Sequence, residues 1–308
     1  MPKVDLSTEV SGLRLKNPLV LASGILDLNA GLLRKVGSCG AGAVTTKSIG
    51  LKPRKGNRNP TVAAVEGGIL NSMGLCNPGI EGFRLELCEL KGIGIPVVGS
   101  VYASSPGEFA KVASLMAECN VSAVELNVSC PNVAGECVGQ PMGQDPQLVS
   151  EVVRKVKSKV KKPIFVKLTP NVNDIAEIAR AAEKAGADAI TAVNTFGPGL
   201  AIDVDSCTPI LGGTFGGMSG PAVKPLALAC VYKTYEAVKI PVIGCGGVGC
   251  GRDAAEYLMA GASAVGVGTA VYYQGLGVFG RINRELTMFM KKRGYSKASE
   301  LIGLAHRR

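Results

Sequence analysis

Tryptophan is absent from this chain, and aromatic residues make up only 5% of it. Proteins that hold single-stranded nucleic acid stack its bases on aromatic rings, so the composition argues against that class. None of the ten cysteines forms a Cys-x-x-Cys pair. The nearest spacings, Cys130 to Cys137 and Cys245 to Cys250, match no zinc or iron–sulfur arrangement, so no metal site is expected. Cysteines scattered through an enzyme-sized chain point to the reducing cytoplasm. The opening Met-Pro-Lys-Val-Asp has no apolar segment of a signal peptide. The uncharged run from Tyr257 to Gly280 is long enough to span a bilayer. Its six glycines and turn-like breaks favour a buried strand with loops, and no membrane association is expected.

Positive charge and glycine are abundant. The net charge is +10, from 34 Lys and Arg against 24 Asp and Glu. The basic residues are spread along helical segments, with small clusters at Lys52–Arg58, Arg154–Lys162 and Lys291–Arg293. A nucleic-acid binder gathers them on one element, so a solvated basic surface is the simpler reading. An anionic cofactor or an acidic partner protein stays compatible. With 46% apolar residues over 308 positions, the chain has material for two ordinary domains or one α/β barrel of roughly 250 residues.

Two short patterns recur. Gly-Ala-x-Ala followed by a β-rich run occurs at Gly40–Lys47, Gly186–Asn194 and Gly261–Thr269, with a looser copy at Asn120–Asn127. Each follows a helical stretch, so the glycine reads as the residue just past a helix end. Proline opens the runs at Pro96, Pro163 and Pro241, a tolerated first-strand position. With Pro18–Leu21 these make eight short continuous apolar runs, as in strands buried on both faces of a parallel sheet. Helical patterns separate most of them: Gly107–Cys119, Pro146–Val160, Asp174–Lys184, Pro225–Val238 and Asp253–Met259. In Asp174–Lys184 the residues Ile175, Ile178, Ala179 and Ala182 form one stripe, with Asn173 or Asp174 as N-cap. Eight βα units predict a single (β/α)8 TIM barrel over residues 1–308, with an open doubly wound sheet as the alternative. Leu51–Ile69, Asn132–Gln144 and Ala201–Met218 read as long loop insertions at its mouth.

Catalytic groups of such barrels sit at the C-terminal strand ends. Those ends read Ser23, Lys47, Ser100, Asn127 with Cys130, Lys167, Asn194 with Thr195, Gly246-Gly247, and Gly268-Thr269, nearly all polar or glycine. In Asn127-Val128-Ser129-Cys130-Pro131-Asn132, a thiol lies between two carboxamides where Pro131 ends the strand. A free cysteine at a turn is often plain filling; beside two asparagines it is also a candidate acid, base or nucleophile. Lys47 and Lys167 end otherwise apolar strands, which calls for an anionic partner or a lowered pKa; either lysine alone could snorkel to solvent, but two at two strand ends favour a site. The glycines ending strands seven and eight suit phosphate binding through backbone N–H groups. Ser219-Gly220-Pro221 offers another anion contact. A phosphate anchor with a lysine near a ring system suggests flavin mononucleotide (FMN), whose reduced ring gains negative charge that an ammonium stabilises. The second lysine and Asn71, Asn127, Asn132 and Asn194 suit a small planar anionic substrate, with Cys130 as proton acceptor.

These residues carry a resemblance. Thr46-Lys47-Ser48, Pro53–Asn57, Gly67–Leu75, Glu125–Asn132, Val166–Asn171, Ser219–Pro225 and Gly244–Gly247 together make the chain similar to the catalytic subunits of class 1B dihydroorotate dehydrogenases along nearly its whole length. The resemblance implies FMN at the barrel mouth and oxidation of dihydroorotate to orotate in pyrimidine biosynthesis. Cys130 would take the C5 proton while C6 passes hydride to flavin N5. Lys47, Asn71, Met73, Gly74, Leu75, Asn127, Asn132, Asn194 and Thr195 would hold the substrate. Ser23, Lys47, Ser48, Ser100, Asn127, Lys167, Val193, Gly220, Gly246, Gly247, Gly268 and Thr269 would hold FMN, and Asn132–Gln144 would be a lid over the site. The family usually has Asn near the end of the third strand; here Ser100 stands there, which offers one flavin hydrogen bond in place of the amide pair. Class 1B further implies a homodimer within a heterotetramer, whose partner subunit carries FAD and an iron–sulfur cluster and passes electrons to NAD⁺. Two other readings remain: a dihydropyrimidine dehydrogenase acting on uracil or thymine, and a basic nucleic-acid-binding barrel.

Overall fold

The computed structural model describes residues 4–129 and 140–307. Eight parallel strands close into a barrel. They are β1 (Leu19–Leu21), β2 (Ala43–Thr45), β3 (Val97–Val101), β4 (Ala123–Asn127), β5 (Ile164–Leu168), β6 (Ala189–Ala192), β7 (Val242–Cys245) and β8 (Ala262–Val267). Their order around the barrel follows the chain, and β8 pairs back onto β1 through Gly266 and Val20. All eight apolar runs of the sequence are these strands. An α-helix follows each: α1 (Ala30–Ser38), α2 (Gly79–Glu89), α3 (Pro106–Ala117), α4 (Pro146–Lys157), α5 (Ile175–Lys184), α6 (Lys224–Ala237), α7 (Gly251–Met259) and α8 (Val278–Arg293).

Local chemistry sets the helix ends. Asp174 caps α5 by accepting from Ala176 N–H at 3.0 Å, and the stripe Ile175, Ile178, Ala179 and Ala182 is buried. Ser105 and Asp145 cap α3 and α4, each followed by Pro at the first helical position, where the missing N–H costs nothing. Two of the basic clusters lie in the last turns of α4 and α8. There positive side chains complement the negative end of the helix dipole.

Alternation along the strands sorts the two faces of the barrel wall. Outward residues such as Val124, Leu126, Val166 and Val265 pack against the helices. Inward residues Val20, Val98, Phe165 and Ile243, with the small Ala43, Ala123, Ala189 and Ala264, fill the lower lumen. A hairpin of Thr8–Val10 and Leu13–Leu15 adds Val10 and Leu15 to that cluster. It is fastened by Thr8 Oγ1 to Ser263 O at 2.8 Å and Ser11 Oγ to Asp188 O at 2.6 Å, at the starts of β8 and β6, so it closes the N-terminal end.

All three segments read as loops hold some regular structure, in Asn132–Gln144 a short helix at Gln140–Gly143. Strands Val62–Val65, Gly68–Asn71, Gly216–Ser219 and Phe196–Gly199 form a four-stranded antiparallel sheet at the mouth. Ile202–Asp203 pairs with Thr208–Pro209 in a small ribbon. The run Tyr257–Gly280 resolves into the end of α7, strand β8, a short helix Thr269–Gln274 and the start of α8. No helix among the described residues is long and apolar enough to cross a membrane.

Candidate active site at the barrel mouth

A cavity of about 490 Å³ opens where the strands end, within the range of small-molecule and cofactor sites. Ser23, Lys47, Ser48, Asn71, Met73, Gly74, Leu75, Asn127, Lys167, Val193, Asn194, Thr195, Gly220, Gly246, Gly247, Gly268 and Thr269 all line it. One expected residue does not. Ser100 is fully buried and its hydroxyl lies between Ser48 Oγ at 2.9 Å and Glu125 Oε1 at 3.2 Å. It sits level with Glu125 in the barrel register, two residues below Asn127, so the wall formed by Ser48 and Asn127 separates it from the cavity. Cys130, Asn132 and residues 132–139 of the expected lid lie outside the described residues.

Lys47 and Lys167 are 9% and 5% exposed and both face the cavity. Among the described residues neither ammonium has a carboxylate within 4.0 Å. A buried cation costs several kcal/mol unless an anion or hydrogen bonds compensate it, so the lumen is built to receive negative charge. Asp27, whose carboxylate accepts from Ser23 Oγ and Gly24 N–H, feels the charge of Lys47. Burial pushes its carboxyl above the ordinary value, while Lys47 and the Gly24 N–H pull it back.

The opposite wall is a backbone cradle. The N–H groups of Gly220, Gly246, Gly247, Val248 and Gly268 have no hydrogen-bond partner among the described residues. Those of Gly249 and Cys250 are satisfied by Asp253 Oδ2 at 2.8 and 3.0 Å. Asp253 in turn receives Lys224 Nζ at 2.7 Å. The loop is therefore rigid below and open above, which is the form of an anion-binding nest. Gly247 has φ +68°, and a Cβ there would meet Gly220 O at 2.7 Å and Lys224 Cβ at 2.8 Å. Only glycine lets the two loops come this close. Tyr257 OH donates to Gly246 O at 2.6 Å, and Thr269 Oγ1 donates to Ser219 Oγ at 2.8 Å.

The carboxamides gather on the β2–β6 side. Asn127 Nδ2 donates to Ser48 Oγ at 2.9 Å, and its Oδ1 accepts from Ser129 N and Oγ at 3.2 and 2.9 Å. Asn194 Nδ2 donates to Ser129 O and Oγ at 3.2 and 2.9 Å. Asn71 Nδ2 donates to Gly217 O at 3.2 Å within the mouth sheet. Asn71, Asn127 and Asn194 thus reach one cavity from a mouth strand, β4 and the end of β6.

Several lining residues went unread in the sequence: Cys245, Met218, Ile25, Leu26, Tyr272 and Tyr273. Burial raises the Cys245 thiol above the usual range, with Lys167 acting the other way; it is neutral filling at the end of β7. Tyr273 OH donates to Gly68 O at 2.8 Å, tying the short helix after β8 to the mouth sheet. Glu125 was read as part of an apolar strand, yet it is a carboxylate only 3% exposed inside the barrel. Its signal was positional, since it lies two residues before Asn127 and so on the same strand face.

Comparison with known proteins gives a consistent set. A sequence model of the family described as dihydroorotate dehydrogenase matches residues 5–290. A protein of Methanothermobacter thermautotrophicus named dihydroorotate dehydrogenase B (NAD(+)), catalytic subunit, is 50% identical over 301 residues, covering 98% of each chain. One of the same name from Pyrococcus abyssi is 48% identical over 97% of this chain and 99% of its own. Another, from Methanocaldococcus jannaschii, is 45% identical over 99% of this chain and 100% of its own.

Proposed function

Because the chain belongs to the dihydroorotate dehydrogenase family, we propose that it oxidises dihydroorotate to orotate in pyrimidine biosynthesis, with FMN as its resident cofactor and NAD⁺ as final electron acceptor. The observation that carries this reading is the pairing, in one cavity, of a glycine-lined N–H cradle with two buried ammonium groups that have no carboxylate partner among the described residues. The cradle fits a phosphate. Lys167 fits the electron-rich edge of a flavin ring, and Lys47 with Asn71 and Asn127 fits a carboxylated pyrimidine ring. FMN, when bound, supplies the hydride acceptor.

The chain's own groups do the rest. Lys47 and the carboxamides of Asn71, Asn127 and Asn194 fix the ring and its carboxylate, with Asn132 and Thr195 completing the set. Cys130 takes the C5 proton onto Sγ, and its place directly after Ser129, which Asn194 holds at two atoms, suits a base kept in register with the ring. Met73, Gly74 and Leu75 cover the substrate, and 132–144 shut out water during turnover. The relatives' names include NAD(+) and a catalytic subunit, which supports a partner subunit; the class 1B resemblance adds that this partner carries FAD and an iron–sulfur cluster, in a heterotetramer built on a catalytic dimer. The eight cysteines described are all free, in keeping with a cytoplasmic setting.

The test is turnover of dihydroorotate against dihydrouracil by the flavin-loaded protein with a dye acceptor. Dihydroorotate oxidation with little dihydrouracil oxidation is expected; the reverse preference would assign the site to dihydropyrimidines, which have no carboxylate for Lys47. Cys130→Ala should keep the flavin and lose at least about a hundredfold in turnover, and full activity would remove the base assignment. Lys47→Ala should weaken orotate binding about tenfold or more.

A further inference from the structure

We propose that Glu125 is a positioning residue: it ends a one-way chain of hydrogen bonds that fixes which atoms Asn127 and Asn194 show to the ligand. This rests on the reading of the cavity as an orotate site.

Glu125 is enclosed by the barrel and accepts two hydroxyl protons, from Ser100 at 3.2 Å and Thr191 at 2.9 Å. A carboxylate only accepts. With its single proton spent on Glu125, Ser100 Oγ is left as acceptor in its 2.9 Å contact with Ser48 Oγ. Ser48 therefore donates to Ser100 and accepts from Asn127 Nδ2 at 2.9 Å. Asn127 Oδ1 accepts from Ser129 Oγ at 2.9 Å, and Ser129 Oγ accepts from Asn194 Nδ2 at 2.9 Å. Every link runs toward Glu125, across β4, β3, the loop after β2, β4 again and the end of β6. Head-to-tail chains of this kind strengthen each link.

The chemical consequence lies at the cavity. Asn127 keeps one N–H to offer, because its oxygen already accepts twice and its other N–H goes to Ser48. Asn194 donates to Ser129 O and Oγ, and among the described residues its Oδ1 accepts only from Thr195 N at 2.9 Å, so it offers oxygen. The pair presents one donor and one acceptor, matched to a ring carrying C=O and N–H side by side. Ser100 belongs to this chain and not to the cofactor contacts.

The experiment compares flavin-loaded wild-type protein with Ser100→Ala, Glu125→Ala and Glu125→Gln. Orotate affinity is read from the flavin absorbance change, and side-chain amide signals from protein labelled with ¹⁵N-asparagine. Glu125→Gln retains an acceptor for Ser100, so its affinity should stay within about twofold. Ser100→Ala and Glu125→Ala should weaken orotate by about five- to tenfold, the worth of one well-placed hydrogen bond. They should also shift the side-chain amide signal of Asn194, which touches neither residue. If Glu125→Ala fails to fold, Ser100→Ala carries the test alone. Affinity within twofold in Ser100→Ala, or an unmoved Asn194 signal, overturns the proposal. A wild-type protein that binds flavin but not orotate would instead overturn the function it rests on.

Discussion

The lumen of the barrel changes character within two residues along each strand. The lower tier holds Phe165, Val98 and Ile243 among alanines. The tier above, on the same strands, holds Lys167, Ser100 and Cys245, with Glu125 above Ala123 and Thr191 above Ala189. Backbone geometry is shared, so the difference is purely one of side-chain chemistry. The apolar tier gains from exclusion of water. In the polar tier Glu125 has two hydroxyl donors, and the lysines face an open cavity where an anion would compensate them. The barrel wall thus supplies stability at one level and binding at the next.

The sharpest way to break this division is to exchange effects between tiers. Phe165→Ala empties a site only 1% exposed and should cost about 3–5 kcal/mol of unfolding free energy, read by urea titration. Its orotate affinity, where the protein stays folded, should be near normal. Lys167→Met should do the opposite. Removing a buried cation relieves desolvation, so the midpoint of the flavin-free chain should not fall, while flavin affinity should drop about ten- to a hundredfold, the worth of a charged hydrogen bond. A Lys167→Met protein that unfolds early yet holds flavin normally would erase the distinction.

The apolar tier was legible in the sequence and the polar one only in part. Seven strands are short runs opened by Pro or Gly, and β4 is a looser copy opened by Asn120, so all eight could be found without knowing what they pack against. Helices such as α5 announced themselves by period and cap. By contrast, α1 carries Gly31 and Gly37, α2 begins Gly79-Ile80-Glu81-Gly82, and α8 starts inside an uncharged run, so their patterns were blurred. The mouth sheet was read as loop although Val62–Val65 and Gly68–Asn71 flank the two-residue turn Glu66-Gly67, a hairpin signal. Its other strands, Phe196–Gly199 and Gly216–Ser219, are glycine-rich and pair over long sequence distances, which no local pattern reports. Strand ends gave the cavity residues because parity along a strand is regular. Ser100 lies on the same face and in the same tier as Lys167, but its hydroxyl is held between Ser48 and Glu125, contacts that parity along a strand does not report.

A smaller perturbation sharpens the comparison within the polar tier. Thr191→Val removes one of the two donors to Glu125 while keeping shape. It should cost about 1–3 kcal/mol, the penalty for an under-satisfied buried carboxylate, and leave the apolar tier undisturbed. A cost near zero in urea unfolding would mean that Ser100 alone satisfies Glu125.

The smallest effect is expected at Asp27, at the rim of the polar tier. Burial raises its carboxyl above the ordinary 3.8, with Lys47 and the Gly24 N–H opposing. An acid whose folded value is raised binds more protons folded than unfolded between the two values. Its contribution to stability therefore falls as pH rises through that window from near 3.8. Asparagine keeps an oxygen for Ser23 Oγ and Gly24 N–H but does not titrate. The stability of Asp27→Asn relative to wild type should thus improve as pH rises from near 3.8 through the raised value and then level off. Taking the difference between the two proteins in urea unfolding cancels every other titrating group. A difference that instead worsens with pH would mean that attraction to Lys47 outweighs burial. The rim would then be held by an ion pair, and the lysines would not be waiting for an anion from outside.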